Sequence, residues 1–329
     1  MSTISLHILV PGLLSPPEGI GEHAKLRPPV LEKFLSWAVG SPAASTYEQQ
    51  LYQLTLLPED TASAPYALLG EGLEPEDAVW MQAHPVHLKA DLQTLLLFEG
   101  RQLAITPEEA ESLVGVFNDH FAGQGMELIA PHPERWYLRL EHQPRLQTFP
   151  LSAVAGRSPG DCQPRGEDAG RWQALLTETQ MLFHGSGVNR QRQTEALPTI
   201  NGLWPHGAGR LREPLAGHAH LKWVAAEDVL ALGAAQVVGA HVVSWDTAIA
   251  GDELRQFGDF LHAELNADGH AWLQALAGFE DWLDRAFDWM AEHRDHCMLL
   301  YPCQGKCFRL DGRKLSRFWH RPQPFYRFL

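Results

Sequence analysis

Apolar positions along this chain repeat with two periods, near 2 and near 3.6 residues, and the switches between them predict an α/β succession of elements. Residues 4–10, ISLHILV, are a mostly apolar run halted by Pro11 and Gly12, the pattern of a buried strand emptying into a loop. VLEKFLSWAV and YEQQLYQLTL follow as short amphipathic helices. AVWMQAHPVHLKADLQTLLLFEG begins and ends strand-like. Thr106 then caps a helix with Pro107 in its first turn, Glu109 three residues on, and Ala110, Leu113, Val114 and Phe117 along one face. MELIAP and RWYLRLE read as strands about a PHPE turn, LQTFPL as a further strand, and GRSPGDCQPRGED as a linker. Gly170 to Phe183 is helical in pattern, and residues 220–246 mix a helix with strand-like pieces. DELRQFGDFLHAEL and HAWLQALAGFEDWLDRAFDWMAEH predict two helices, the second with Trp272, Leu276, Phe279 and Leu283 on one stripe. MLLYP is strand-like, and a basic hairpin turning at Asp311 and Gly312 follows it. There is no internal repeat, heptad or low-complexity tract.

The chain has 329 residues, 45% apolar and 20% charged, enough for one large α/β unit with an embedded subdomain or for two domains. Nothing approaches the run of about 18 apolar residues that predicts a membrane span. The N-terminal MSTISLHILVPGLL lacks a basic leader, so it is read as a first strand rather than a signal peptide. Cys162, Cys297, Cys303 and Cys307 are too few for a disulfide framework in a chain of this length, so a reducing cytoplasm is expected. With 26 Lys and Arg against 40 Asp and Glu, the formal charge of −14 repels polyanions. A local exception is the segment 306–329, where Arg309, Arg313, Lys314, Arg317, Arg321 and Arg327 interleave with Phe308, Phe318, Trp319, Phe325 and Tyr326. It reads as a strand and tail packing aromatics on the core, or as a surface for a protein partner; the overall charge argues against nucleic acid.

Candidate chemistry concentrates in FHGSGVNRQRQTEALPTINGLWPHGAG, residues 183–209, where His184, Asn189, Arg190, Arg192, Asn201 and Trp204 crowd among glycine turns. Arginine offers a planar fork to phosphate or carboxylate, Asn a neutral donor, and glycine close backbone approach, so these six are candidates for holding a small anion. The same residues equally suit a turn whose polar groups satisfy backbone. Elsewhere, His84, His87 and Asp91 are possible ligands, as are His262, Glu264, Asp268 and His270. His293 and His296 with Cys297, Cys303 and Cys307 lack the C-x2-C knuckle of structural zinc. Ser15, in the loop after the first strand, has no neighbour in sequence to activate it.

Four features give the chain a resemblance to the archaeal-type, cofactor-independent phosphoglycerate mutases of the alkaline phosphatase-like superfamily. They are the first strand ending at Gly12, ITPEEAESLVGVFNDHF with the strand pair containing Tyr137, the 182–209 cluster, and a terminal HRPQPF. The chain also resembles a bacterial offshoot of that group described as regulatory proteins of the RpfE type. In the cluster, His184, Asn189, Arg192 or Arg190, Pro198, Asn201, Trp204, Gly207 and Gly209 follow the mutase order, which implies a pocket of sugar-phosphate size. The resemblance implies an α/β fold with an alkaline phosphatase-like core, a central mostly parallel sheet flanked by helices, over residues 1–99 and 166–329, and an inserted α+β subdomain over 100–165. It also implies a two-metal centre for phosphoryl transfer, and there the chain departs. The Asp expected before Gly12 is Pro11, an Asp-His pair expected near the C-terminus is Pro302 and Cys303, and a basic run expected before the PEEA helix reads HPVHLKADLQTL. The expectation is therefore a mutase-like protein without the metal centre and without a cofactor, with a regulatory or binding role toward a small phosphorylated or carboxylated ligand. The alternative is an active mutase or phosphohydrolase whose Mn or Zn is held by relocated ligands, among them His262, Asp268 and His270.

Overall fold

The computed structural model describes residues 4–18, 20, 26–90, 95–154, 159–215, 221–316 and 321–329. In chain order its elements are β1 (Ser5–Leu9), α1 (Pro29–Trp37), β2 (Val39–Pro42), α2 (Tyr47–Leu54), α3 (Ser63–Gly70), β3 (Val79–Ala90), β4 (Leu95–Glu99), α4 (Pro107–His120), β5 (Met126–His132), β6 (Arg135–Leu140), α5 (Ala169–His184), α6 (Gly187–Thr194), β7 (Gly202–Gly209), β8 (Trp223–Ala225), α7 (Val229–Val237), β9 (His241–Val242), β10 (Glu253–Gln256), α8 (Asp259–Leu265), α9 (Gly269–Glu292), β11 (Cys297–Tyr301) and β12 (Lys306–Asp311), joined by short 3-10 turns. The fold is α/β. No helix among the described residues is long and apolar enough to cross a membrane.

The chain divides into two compact units, Met1–Glu59 with Glu213–Leu329, and Asp60–Arg212. In the first, a seven-stranded sheet runs β2-β12-β11-β1-β10-β8-β9. β11, β1, β10, β8 and β9 are mutually parallel, while β12 and β2 add antiparallel strands at one edge. Central β1 is apolar because it is flanked on both sides and buried, and Leu6 and Ile8 join one core with the stripe Trp272, Leu276, Phe279 and Leu283 of α9. Each large side chain so buried contributes about 1.5–3 kcal/mol.

Residues 252–265, predicted as one helix, split instead into strand β10 and the short α8. Glu253 and Arg255 pair with each other at 2.6 Å with 2% and 1% of their side chains exposed. The arginine's remaining donors go to the carbonyls of Trp245 and Thr247. Burying a charge pair requires this saturation, and helical periodicity cannot signal it. The last hairpin also differs: β11 turns into β12 through 302–305, and Asp311 and Gly312 stand at its far end.

The second unit is built on an antiparallel sheet in which β3 pairs with β4 and β6 on one side and β7 on the other, with β5 beyond β6. The subdomain boundaries expected at 100 and 165 thus fall inside a larger unit, because β3 and β7, from either side of that interval, are partners in its sheet. Helix α4 starts as its sequence predicts, with Thr106 Oγ1 accepting from Glu109 N and Glu109 Oε2 from Thr106 N. Its face of Ala110, Leu113 and Phe117 joins the sheet residues Val79, Met81, Trp136 and Leu138 in this unit's core. LQTFPL forms no strand; Gln147 makes a single bridge to Arg165.

Candidate functional site

The cluster at 183–209 folds as the end of α5, helix α6 and strand β7, and most of its polar atoms turn inward to backbone. Asn189, fully buried, donates to the carbonyls of Phe183 and Ile200 and accepts from Ile200 N, all at 2.8 Å. Arg192, also fully buried, donates to Pro198 O at 2.7 Å, to Glu109 Oε2 at 2.6 Å and to Leu103 O. Asn201 prolongs the β3–β7 ladder by a side chain, accepting from Leu88 N at 2.7 Å and donating to Leu88 O at 2.9 Å. Trp204 is buried with its indole donating to Phe149 O at 2.8 Å. Arg190 is exposed and donates to Gly185 O at 2.6 Å, and His184 is exposed on the last turn of α5. The six candidates therefore divide: four clamp the chain, two face outward, and the arginine expected to grip an anion has its guanidinium held by a carboxylate and two carbonyls.

Beside this clamp lies a pocket of about 180 Å³. Its walls are Gly202 to Pro205 of β7, Leu88 of β3, the turn Cys162 to Pro164, and Gln173, Leu176, Thr177 and Gln180. The last four share one face of α5 by their three- and four-residue spacing. No lining side chain is charged, while Gln163, Gln173, Gln180, Asn201 and Thr177 offer both donors and acceptors. Such a wall suits a small neutral molecule with hydrogen-bonding groups and an apolar face.

A second polar group sits within the same unit's sheet. His84 and His87 lie in β3, and their odd spacing sends them to opposite faces. His87 Nδ1 donates to Thr199 O at 2.7 Å, and Asp91 lies outside the described residues. His84 meets His206 of β7 diagonally across the strand pair, ring centres 5.3 Å apart, with the Tyr137 ring 6.3 Å from His84. Sequence reasoning missed this pair because His206 reads as part of a glycine turn; alternation along β7 is the signal that places it on the face of Gln82. Burial is the main cause that pushes the imidazolium of His84 down to about 4, with Arg135 reinforcing it and Glu99 and Glu71 opposing. His206 is pushed well below the ordinary range by burial and then by His84. Both rings are neutral near pH 7.

The sign for stability follows. Between the unfolded value of about 6.5 and the lower folded values, the unfolded chain binds more protons, so this contribution is complete above about pH 6.5 and is lost as pH falls toward 4. Urea unfolding of wild type and His206→Leu at pH 7, 6 and 5 should show the wild type losing more, by up to about 1.4 kcal/mol per pH unit. Parallel profiles would refute it.

In the first unit, the carboxyl ends of the parallel strands are where an open α/β sheet presents ligand-binding groups. β1 ends in Val10, Pro11 and Gly12, β10 in Gln256, and β11 in Pro302 and Cys303. Ser15 accepts from the Gln304 amide and shares a hydrogen bond with Glu264, whose carboxyl is raised chiefly by burial. Sequence spacing did not bring these three together. Asp268 caps α9 by accepting from His270 N and Ala271 N, and His270 contacts Gln274 on the exposed side of that helix. Among the described residues no three His, Cys, Asp or Glu side chains gather as a metal-binding group. Pro11 and Pro302 offer no side-chain donor at these strand ends.

The zinc set near the C-terminus is dispersed too. His293 and His296 stack about Trp289, Cys297 opposes Asp311 at one end of β11, and Cys303 and Cys307 lie at the other. All four cysteines are free and buried; burial pushes Cys303 up, and Cys307 up to about 11, which keeps them protonated thiols. In the 306–329 tail, Phe308 and Phe325 are core residues and Arg309 pairs with Asp311 at 2.9 Å, while Arg317, Phe318 and Trp319 lie outside the described residues.

No protein-family profile and no curated protein matches this chain. Among solved structures, the PH0037 protein from Pyrococcus horikoshii shares its fold, with a TM-score of 0.53 and 17% identity over 94% of this chain and 88% of that one. A cofactor-independent phosphoglycerate mutase from Thermoplasma acidophilum aligns at a TM-score of 0.38 and 13% identity over 94% of this chain and 89% of that one.

Proposed function

We propose that this chain is a phosphoglycerate mutase-like protein of alkaline phosphatase-like architecture that does not carry out two-metal phosphoryl transfer and serves a binding or regulatory role toward a small neutral ligand. The observation that carries this is Pro11: the central strand of the parallel sheet runs into a residue with no side-chain donor, and the neighbouring β11 runs into Pro302. A metal-assisted displacement needs carboxylate or imidazole ligands at such strand ends to hold ions against the attacking and leaving oxygens. The mutase kinship is supported by the sequence resemblance and the α/β fold, and the ligand class by the uncharged wall of the α5–β7 pocket.

The test is direct. Purified protein supplied with Mn2+ should not turn over 3-phosphoglycerate, and 3-phosphoglycerate should leave its melting temperature unmoved. Turnover in either direction would sink the proposal, and a melting shift without turnover would return the ligand class to an anion.

A further inference from the structure

The structure assigns a transition-metal site to the buried pair His84 and His206, with two neutral imidazoles as its protein donors. The inference stands on the second unit alone and is independent of whether the strand ends of the first unit do chemistry.

Three observations converge. The first is a hydrogen-bond chain. His84 Nε2 lies 2.9 Å from Gln82 Oε1, and the Gln82 amide nitrogen donates to Ser63 Oγ at 2.8 Å. With the amide nitrogen on Ser63, its oxygen faces His84, and in this arrangement Nε2 carries the proton and Nδ1 presents a bare lone pair. An imidazole that donates through one nitrogen to an oriented acceptor and leaves the other free is arranged as a metal ligand is.

The second is what the free atoms face. His84 Nδ1 and both ring nitrogens of His206 are buried without a hydrogen-bond partner, and His206 is only 5% exposed. Buried polar atoms are nearly always satisfied, and leaving one unmade costs about 1–3 kcal/mol. Three on two touching rings therefore mark a missing partner. Neutral imidazole is the form that binds metal.

The third is spacing. An ion bound at about 2.0 Å by two imidazole nitrogens in tetrahedral geometry keeps the ring centres roughly 5 Å apart, and these stand 5.3 Å apart with planes at 61°. The rings are held there by the β3–β7 register, which opposes Gln82 to His206 and His84 to Trp204. Packing beneath His206 is equally tight: a Cβ on Gly207, whose φ is +66°, would meet Ser63 Oγ at 2.0 Å. Nitrogen donors of this kind suit Zn2+ and Cu2+. With no third His, Cys, Asp or Glu gathered at the pair among the described residues, water or a ligand atom completes the coordination.

The experiment titrates metal-stripped, full-length protein with Zn2+ and with Cu2+, in wild type, His84→Leu, His206→Leu, and the exposed control His184→Ala. One equivalent should bind the wild type and the control, and each leucine variant should lose at least tenfold in affinity for that equivalent. His206→Leu removes two unpartnered buried nitrogens, so it should fold. In the wild type, ring-nitrogen NMR should show Zn2+ moving the His84 Nδ1 resonance while Nε2 remains protonated, a readout that needs no variant. Equal binding by wild type and both leucine variants, or ring resonances that respond to inorganic phosphate and not to Zn2+, would overturn the site. Turnover of 3-phosphoglycerate, in wild type or in the leucine variants, counts against the proposed function and says nothing of this site, so the two failures are distinct.

Discussion

Arg192→Met is expected to destabilise the protein by about 3–5 kcal/mol, the range for removing one partner of a buried ion pair. The guanidinium is fully buried and joins three segments of the second unit: Leu103 before α4, Glu109 in its first turn, and Pro198 between α6 and β7. Methionine fills much of the volume but satisfies none of the three acceptors, and it strands the Glu109 carboxylate, which is 20% exposed. Urea unfolding should show a lowered midpoint. Arg192→Lys should recover only part of the loss, because a point ammonium cannot reproduce the fork. Glu109→Gln in the methionine background should recover part as well, since the uncompensated charge is gone. The sharper contrast is with an anion-binding role. If Arg192 held a ligand, phosphate would stabilise the wild type and not the variant; here phosphate should change neither. A cost below about 1 kcal/mol, or a phosphate response that depends on Arg192, contradicts the structural role.

The same residue shows how far the sequence could be read. Its neighbours in the chain, Asn189, Asn201 and Trp204, have the side chains of a ligand site, and residue type alone cannot say whether their partners are ligand or backbone. That depends on Leu103, Glu109, Phe149 and Leu88, all distant in sequence. Elements governed by local rules were legible: β1 from its mostly apolar run halted by Pro11 and Gly12, α4 from its capping box, and α9 from its stripe of Trp272, Leu276, Phe279 and Leu283. β10 was hidden because its burial of Glu253 and Arg255 is a tertiary decision, a charge pair closed within one strand between β1 and β8. The His84–His206 pair was hidden for a related reason, since pairing β3 with β7 joins residues more than a hundred positions apart. Pro11 was visible in the sequence, and only the sheet order places it at the end of the central strand.

Gly12→Ala, one residue beyond, is the second large expected effect, a loss of about 2–5 kcal/mol from left-handed backbone strain and overpacking combined. Gly12 has φ +84°, and a Cβ there would lie 2.9 Å from both the carbonyl carbon and oxygen of Phe260 and 3.0 Å from Leu261 N. These are backbone atoms of the first turn of α8, so no side chain can swing aside. The carbonyl of Gly12 also accepts from the Trp272 indole at 3.1 Å, which ties the end of β1 to the buried start of α9. Alanine must therefore push α8 away from β1 or break that hydrogen bond, and either movement opens the core around Phe260 and Trp272, whose rings are 5.5 Å apart. Gly40→Ala is the control, because it has ordinary backbone geometry, sits in edge strand β2 and has nothing within 4 Å of the added methyl. Chemical denaturation should lower the midpoint for Gly12→Ala with its slope unchanged and leave Gly40→Ala within about 0.5 kcal/mol of wild type. The close approach holds the Pro11 turn against α8 by backbone alone. Equal stability of the two variants would show that α8 is not held against β1 in this way.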